Sequence, residues 1–418
     1  MSIRKKVAII YTESITDEAL GSTRTLMDLA KLLSSKYDVR AFSLGRKHRR
    51  IIKDNIQEEV FSSKASTDSR NTKIRILDYV NLFFMKKQLS YNIMNQNKVF
   101  IKSIISYKPD IIITLGRVLV DAGILLKKNL KDSIIFSITD DIRVVDNAIK
   151  IRHERFMNSK SRFKSLKRPL FEITSKRLGE FSREIYKKML DNFDGIAFVT
   201  EIDKNLSEKS YPNHKSKFFV LPTASFPQSS ILKKPVYKVN KVIKTILFIG
   251  NCKHEPNIEA MLLIENKIAP FLKDKKFIII GSNCEKRIKE NVEYTGFISD
   301  ERKIALLDKA DLCIAPLKNG SGIKVKILEY FARCKPVIGT SVAFEGYNIK
   351  NKENAVLENN IDNYPKLILE LEKDIQLREH ISNNSNTVCE YFSYGAVEER
   401  WSSAIKELES IKNKNNTK

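Results

Sequence analysis

Six short runs constrain this chain more than anything else in it: VAIIY (7–11), IIITL (111–115), IIFSIT (134–139), ILFIG (246–250), FIIIG (277–281) and LCIAPL (312–317). Each is apolar nearly throughout, so a strand built from it must be covered on both faces. Helix-like stretches stand between them. After the first strand, Gly21-Ser22-Thr23-Arg24 opens a run in which Leu26, Leu29, Ala30 and Leu33 share a face; further helical patterns cover 76–106, 143–190, 257–272, 300–309 and 323–333. Alternating buried strands and helices predict parallel sheets sandwiched by helices. VRAFSL, GIAFVTE, FFVLPTAS, VEYTGF and PVIGT read as additional strands, whereas 45–75 is polar, basic and without period, an exposed excursion.

The pattern occurs twice. FPQSSILKKPVYKVNKVI (226–243) contains two prolines and little period, which places a linker at 229–243. The expected organisation is therefore an N-terminal domain over 1–228, a second domain over 244–395 and a final helix with a polar tail over 396–418. Two doubly wound Rossmann-like domains facing a cleft are the fold this predicts. Ligands of such sheets bind beyond the C-terminal ends of the strands. Gly116, Asp140, Asp141, Gly250 and the 317–322 turn are expected at those ends.

Charge narrows the partners. The formal net charge is +24, with 45 Lys and Arg against 25 Asp and Glu in residues 1–235 and 29 against 25 in the rest. The basicity belongs to the first half, densest over 143–188, where Phe156, Phe163, Leu166, Leu170 and Phe171 are interleaved with Arg and Lys. Such a segment either is a solvated helix face or docks on a polyanion; an anionic membrane surface is the expected partner. Nucleic acid is set aside, since charge alone speaks for it. No run approaches the ~20 apolar residues of a membrane span, and the apolar part of MSIRKKVAIIYTES is too short for a secretion signal. The expected location is cytoplasmic, on the inner face of the plasma membrane. The five cysteines are widely spaced with no C-x-x-C pair, and five free thiols are expected.

The densest chemistry lies in APLKNGSGIKVKILEYFARCKPVIGT (315–340). Gly320 and Gly322 permit a tight turn and close approach to a ligand. The following helix offers free N–H groups and a positive dipole end. Lys324 and Lys326 add charge suited to a diphosphate, and Glu329 can accept hydrogen bonds from vicinal hydroxyls. The same letters also fit an ordinary turn followed by a solvated helix.

With FIGNCKHEPNIEAM (248–261) and YTGFISD (294–300), this segment resembles the donor-binding half of retaining GT-B glycosyltransferases of family 4, group 1, in order and spacing over 245–395. The resemblance implies that Glu329 is the second glutamate of the Glu-x7-Glu signature and binds the donor ribose. It implies that Gly320, Ser321, Gly322 and Ile323 form the loop that meets diphosphate and sugar, with Lys324 and Lys326 as the basic residues of the G-x-G-[IT]-[KR]-x-K branch. Lys326 thereby joins the catalytic set. Gly250, Asn251 and His254 follow the first strand of that half, and Gly21, Ser22 and Arg24 match the acceptor and phosphate loop. Asp140 and Asp141 either cap a helix or orient the acceptor hydroxyl. No cofactor or metal is implied; a nucleotide sugar enters as co-substrate, and a saccharide or lipid-linked molecule accepts the sugar in surface polysaccharide or glycolipid synthesis. YGAVEERWSSAIKEL (394–408) resembles the terminal helix that crosses back to the N-terminal domain.

The chain departs from the pattern at three places. Ser321 stands where the first signature glutamate would contact the transferred sugar. The Arg and Lys usual after Gly250 are absent. Cys334 replaces the glycine of A-x-G-x-P, where a local backbone shift is expected. A catalytically degenerate subunit, or a polyanion- and membrane-binding protein, is the alternative reading.

Overall fold

The structure is a computed structural model that describes residues 4–17, 21–45, 47–62, 98–116, 119–139, 164–222, 240–320 and 322–416. It divides into unit 1, Met1–Ala224 with Glu398–Lys418, and unit 2, Ser225–Val397.

Unit 1 holds strands β1 (Lys6–Tyr11), β2 (Asp38–Gly45), β3 (Arg49–Lys53), β4 (Ile56–Ser62), β5 (Ile111–Leu115), β6 (Ile134–Thr139), β7 (Gly195–Phe198) and β8 (Phe218–Val220). They form one sheet in the order β3-β4-β2-β1-β5-β6-β7-β8. Helices α1 (Gly21–Leu33), α2 (Lys98–Tyr107), α3 (Val120–Asn129), α4 (Lys164–Asn192) and α5 (Glu201–Ser210) connect and cover it. Every pairing is parallel except β3–β4. That hairpin corrects the expected excursion over 49–62; residues 63–75 lie outside the described residues. Asp54 and Asn55 turn it with φ of 50° and 64°, and Lys53 pairs with Ile56. Two consecutive left-handed residues make the turn whose twist suits a two-residue hairpin. Within the expected helix over 76–106 only α2 is described, and within 143–190 only α4.

Unit 2 holds β9 (Thr245–Ile249), β10 (Lys276–Ile280), β11 (Arg287–Lys289), β12 (Val292–Tyr294), β13 (Leu312–Ala315), β14 (Val337–Gly339) and β15 (Val356–Leu357). The order is β11-β12-β10-β9-β13-β14-β15, antiparallel only at the β11–β12 edge. Helices α6 (Glu255–Leu263), α7 (Asp300–Lys309) and α8 (Val325–Ala332) lie between strands. Then come α9 (Tyr364–Lys373), α10 (Ile375–Ser385), α11 (Thr387–Glu390) and the last helix, α12 (Tyr394–Asn416). The run expected as one helix over 257–272 is α6 followed by a π turn at Ile264–Ile268 and a 3-10 turn at Ala269–Phe271.

The apolar runs become strands because both faces find cover. Residues 134–139 of β6 are buried throughout, as are the four residues of β13. Register is pinned by aspartates standing just before strands. Asp110 accepts from Lys6 N at 2.7 Å, Asp194 from Ile135 N at 2.8 Å, and Asp311 from Lys244 N and Thr245 N at 2.8 Å each. Each carboxylate satisfies backbone N–H groups at or beside the start of the neighbouring strand. From Glu398 onward α12 belongs to unit 1. Trp401, the only tryptophan, is fully buried with its ring centroid 5.5 Å from that of Phe136. Lys5 pairs with Glu409 at 2.5 Å, and Lys412 Nζ donates to the carbonyls of Lys131 and Ser133.

Each sheet has a point where the strand order reverses. In unit 1, β1 lies between β2 and β5; in unit 2, β9 lies between β10 and β13. Chain segments leaving the C-terminal ends of such strands part to opposite faces and leave a crevice there. In unit 2 those segments are 250–254 and 316–324.

Candidate donor site

The loop after β9 is made by contact with its neighbours. A Cβ on Gly250 would stand 2.8 Å from the Phe248 ring and 3.0 Å from Asn257, so only glycine fits. Asn251 Oδ1 accepts from Lys253 N at 2.9 Å and from Asn283 Nδ2 at 3.2 Å. His254 is the N-cap residue of α6, and its carbonyl accepts from Asn257 N at 3.0 Å. Solvent reaches the imidazole. Its pKa is nevertheless held below the usual value, first by the protein packed around it and then by the charge of Lys326.

Cys252 in this loop is disulfide-bonded to Cys284, beyond β10, which corrects the expectation of five free thiols. The pair is 32 residues apart in sequence, but β9 and β10 run parallel with Ile249 beside Ile280, so the chain leaves both strands at one place. Cys252 N also donates to Ser282 O at 3.0 Å. Cys313, Cys334 and Cys389 are buried thiols outside any disulfide. Opening a bridge over a loop of this length costs about 4 kcal/mol in the chain-entropy account. Cys252→Ser is therefore expected to lower the urea stability of the oxidised protein by about that amount, with no change when both proteins are reduced. Alkylation after denaturation without reductant should count three thiols; five would remove the bridge.

The turn after β13 has Gly320 at φ 131° and Gly322 at φ 66°, conformations that a side chain would strain. Asn319 Nδ2 donates to Glu259 Oε2 of α6 at 3.0 Å. Ser321 lies outside the described residues, and Ile323 is half-buried against the core. Helix α8 starts two residues later than the sequence suggests, with Lys324 at the N-cap position and no side chain capping it. Lys324 Nζ is held by Glu345 Oε2 at 3.2 Å and by the carbonyl of Gly322 at 2.8 Å. Its charge is thus matched by a carboxylate, a partner found through the structure alone.

Lys326 is different. Its Nζ donates to Asn257 Oδ1 at 2.6 Å and sits 4.4 Å from the centroid of the Phe248 ring. Burial pushes its pKa down to about 7, the neighbouring Lys324 charge pushes the same way, and Glu329 opposes them. A half-charged lysine beside a glycine turn is poised to gain its full charge when an anion arrives.

Glu329, in the second turn of α8, is held by Lys303 of α7, with Nζ 3.2 Å from Oε1. Its other oxygen, Oε2, is buried and has no hydrogen-bond partner among the described residues. Ile327, Leu328, Tyr330 and Phe331 bury the opposite side of α8, and Tyr330 OH accepts from Ile249 N at 2.8 Å. Cys334, just past the helix, has φ 52°, in the left-handed region that favours glycine. Lys335 N closes the helix on Tyr330 O at 3.1 Å.

Gly250, Asn251, His254, Gly320, Gly322, Ile323, Lys324, Lys326 and Glu329 thus belong to the segments around one switch point. In unit 1, Gly21, Ser22 and Arg24 lie in the first turn of α1, and their side chains are outside the described set, as are Asp140 and Asp141 altogether. Sequence reasoning missed Glu58. This β4 carboxylate is 2% exposed and accepts from Ser14 Oγ (2.9 Å), Ile15 N (2.8 Å), Thr16 N (3.1 Å), Thr16 Oγ1 (2.5 Å) and Ser43 Oγ. It fixes the loop leaving β1 at that unit's own switch point. The signal was an acidic residue inside a strand-like IQEEVF, which the excursion reading hid.

Comparison with known proteins agrees with this architecture. The chain has a two-domain, Rossmann-like GT-B fold. It is similar over 98% of its length to 100% of a sucrose-phosphate synthase chain from Thermosynechococcus elongatus (TM-score 0.67, 13% identity). It is similar over 96% of its length to 99% of the Anabaena HepE chain crystallised with UDP and glucose (TM-score 0.61, 12% identity). A trehalose 6-phosphate synthase from Burkholderia multivorans is matched over 98% of this chain and 100% of that one (TM-score 0.64, 10% identity). Residues 243–374 match the family described as glycosyl transferases group 1. An uncharacterised 44.6 kDa protein in the cps region of Klebsiella pneumoniae is 25% identical over 217 residues, 48% of this chain and 52% of the relative. The chain spans about half the length of the curated relative it matches. The family match thus falls within unit 2, and the solved structures agree with the chain in fold.

Proposed function

We propose that this protein transfers a sugar, with retention of configuration, from a nucleotide sugar to a saccharide or lipid-linked acceptor during surface polysaccharide assembly. The observation that carries the reading is the Glu329 carboxylate. One oxygen is held by Lys303, and the other is buried and unpartnered among the described residues, in the second turn of the helix that follows the Gly320–Gly322 turn. A buried acceptor without a partner costs free energy unless a ligand supplies the donor, and ribose hydroxyls are donors of the right chemistry. Lys326 and the open N-terminus of α8 are suited to the diphosphate. There they would stabilise the charge that builds on the leaving group as the glycosidic bond to the sugar breaks.

The complexes of HepE with UDP and with UDP-glucose support a uridine donor, and the relative in a cps region supports a polysaccharide acceptor. A hexosyl donor and turnover without metal belong to the same proposal. So does docking on an anionic membrane, which Lys176, Arg177, Arg183, Lys187 and Lys188 support by standing exposed along α4. Among the described residues no helix is long and apolar enough to cross a membrane.

Isothermal titration of the full chain with UDP, ADP and GDP tests the reading. One of the three is expected to bind with micromolar affinity, and its sugar conjugate to be consumed once an acceptor is supplied. Absence of binding by all three at millimolar concentration would end it.

A further inference from the structure

We propose that Lys303 is a positioning residue of the donor site, holding the Glu329 carboxylate so that its free oxygen is presented to the ribose; the inference rests on the donor-site reading above.

Lys303 stands in the first turn of α7. Ser299 caps that helix, its Oγ accepting from Arg302 N at 3.3 Å. The ammonium lies 3.2 Å from Glu329 Oε1 and 3.1 Å from Asp300 Oδ1. The Lys303 and Glu329 side chains are 15% and 17% exposed, so the pair is largely withdrawn from water. An ordinary surface ion pair would leave both carboxylate oxygens hydrated. Here one oxygen is bound by Lys303 and the other is buried with no donor among the described residues.

Three physical consequences follow. Three rotatable bonds separate a glutamate carboxylate from its backbone; with Oε1 held, the direction of Oε2 is set before a ligand arrives, so less ordering remains to be done on binding. The lysine also offsets the negative charge of Glu329, which otherwise repels the diphosphate of the ligand it is meant to hold. Finally, Lys303 keeps the bound oxygen satisfied while Oε2 accepts from the ribose.

The test compares wild type, Lys303→Met, Lys303→Gln and Lys303→Arg by isothermal titration with UDP, ADP, GDP and their 2′-deoxy counterparts, at one pH and ionic strength. The readout is the ratio of deoxy to ribo Kd for the base that wild type binds. The fraction of folded protein does not alter that ratio. Wild type is expected to favour the ribonucleotide about tenfold or more, as for a hydrogen bond to a charged acceptor. Lys303→Met and Lys303→Gln should bring the ratio to about threefold or less, and Lys303→Arg should restore it. A ratio unchanged in the Met and Gln variants overturns the inference while leaving the donor site standing, as does an arginine variant that behaves like methionine. Wild type that binds but ignores the 2′-hydroxyl overturns it too. Wild type that binds none of the ribonucleotides overturns the donor-site reading itself.

Discussion

Replacing Glu329 by glutamine is expected to weaken binding of the preferred nucleoside diphosphate about a hundredfold while the protein stays folded. Glu329 Oε2 is a buried acceptor that no described residue satisfies. A hydrogen bond to a charged group contributes about 1.5–3 kcal/mol. Two ribose hydroxyls held by one carboxylate therefore contribute about 3 kcal/mol, which is about a hundredfold in Kd. Glutamine keeps the shape and one acceptor but removes the charge. Its amide also offers a donor where either Lys303 or a ribose hydroxyl already brings one. The side chain lies opposite the buried Ile327, Leu328, Tyr330 and Phe331 face, so the packing of α8 survives the change. Titration calorimetry gives the Kd and thermal unfolding without ligand controls for the fold. A Kd within threefold of wild type, with the fold intact, would show that the carboxylate does not touch the ligand.

The second large effect is a pH dependence seated on Lys326. In the ligand-free protein this lysine has a pKa of about 7, because burial and the charge of Lys324 disfavour its ammonium. A bound diphosphate stabilises the ammonium and raises that pKa, so binding takes up a proton wherever the free lysine is neutral. The sign follows directly. Below pH 7 the lysine is already charged and contributes fully; above it, each pH unit weakens binding by up to tenfold, until the pKa of the complex is reached. The phosphates of a nucleoside diphosphate have completed their ionisation by about pH 7.5, so titrations upward from there follow the lysine. His254, whose pKa is lowered from its usual value, is neutral throughout that range. Lys326→Met should bind about 30-fold more weakly at pH 7, the effect of a lost charged hydrogen bond, and show a flat profile above it. A wild-type Kd that does not change from pH 7.5 to 9 would show that Lys326 takes no part in anion binding.

These effects differ in how far they were legible in the letters. Glu329, Lys326 and the glycine turn stood out because their chemistry is confined to a dozen consecutive residues, where a helix sets the spacing. Lys303 did not, since it lies 26 residues from its partner and its neighbours DERK read as a solvated first turn. Lys324 was read as a phosphate-binding charge, yet Glu345, 21 residues on, already compensates it. The Cys252–Cys284 bridge was read as two free thiols because sequence spacing hides that β9 and β10 end side by side. Glu58 was lost within a basic stretch whose hairpin hung on Asp54-Asn55, a turn pair weaker as a signal than Asn-Gly.

What the sequence by itself determined was the alternation of doubly buried strands with helices, and hence parallel sheets in two units with ligand loops at the strand ends. Those properties are local: an apolar run of five or six residues cannot rest anywhere but between two covered faces, and a glycine turn before a helix exposes N–H groups whatever surrounds it. Only the tertiary structure decided which charges are compensated. It paired Lys324 with Glu345 and Glu329 with Lys303, lowered the pKa of Lys326 and left Glu329 Oε2 without a partner among the described residues. The reason is that Coulomb interaction and desolvation depend on distance and burial, and those are set by strand order and register across the sheet.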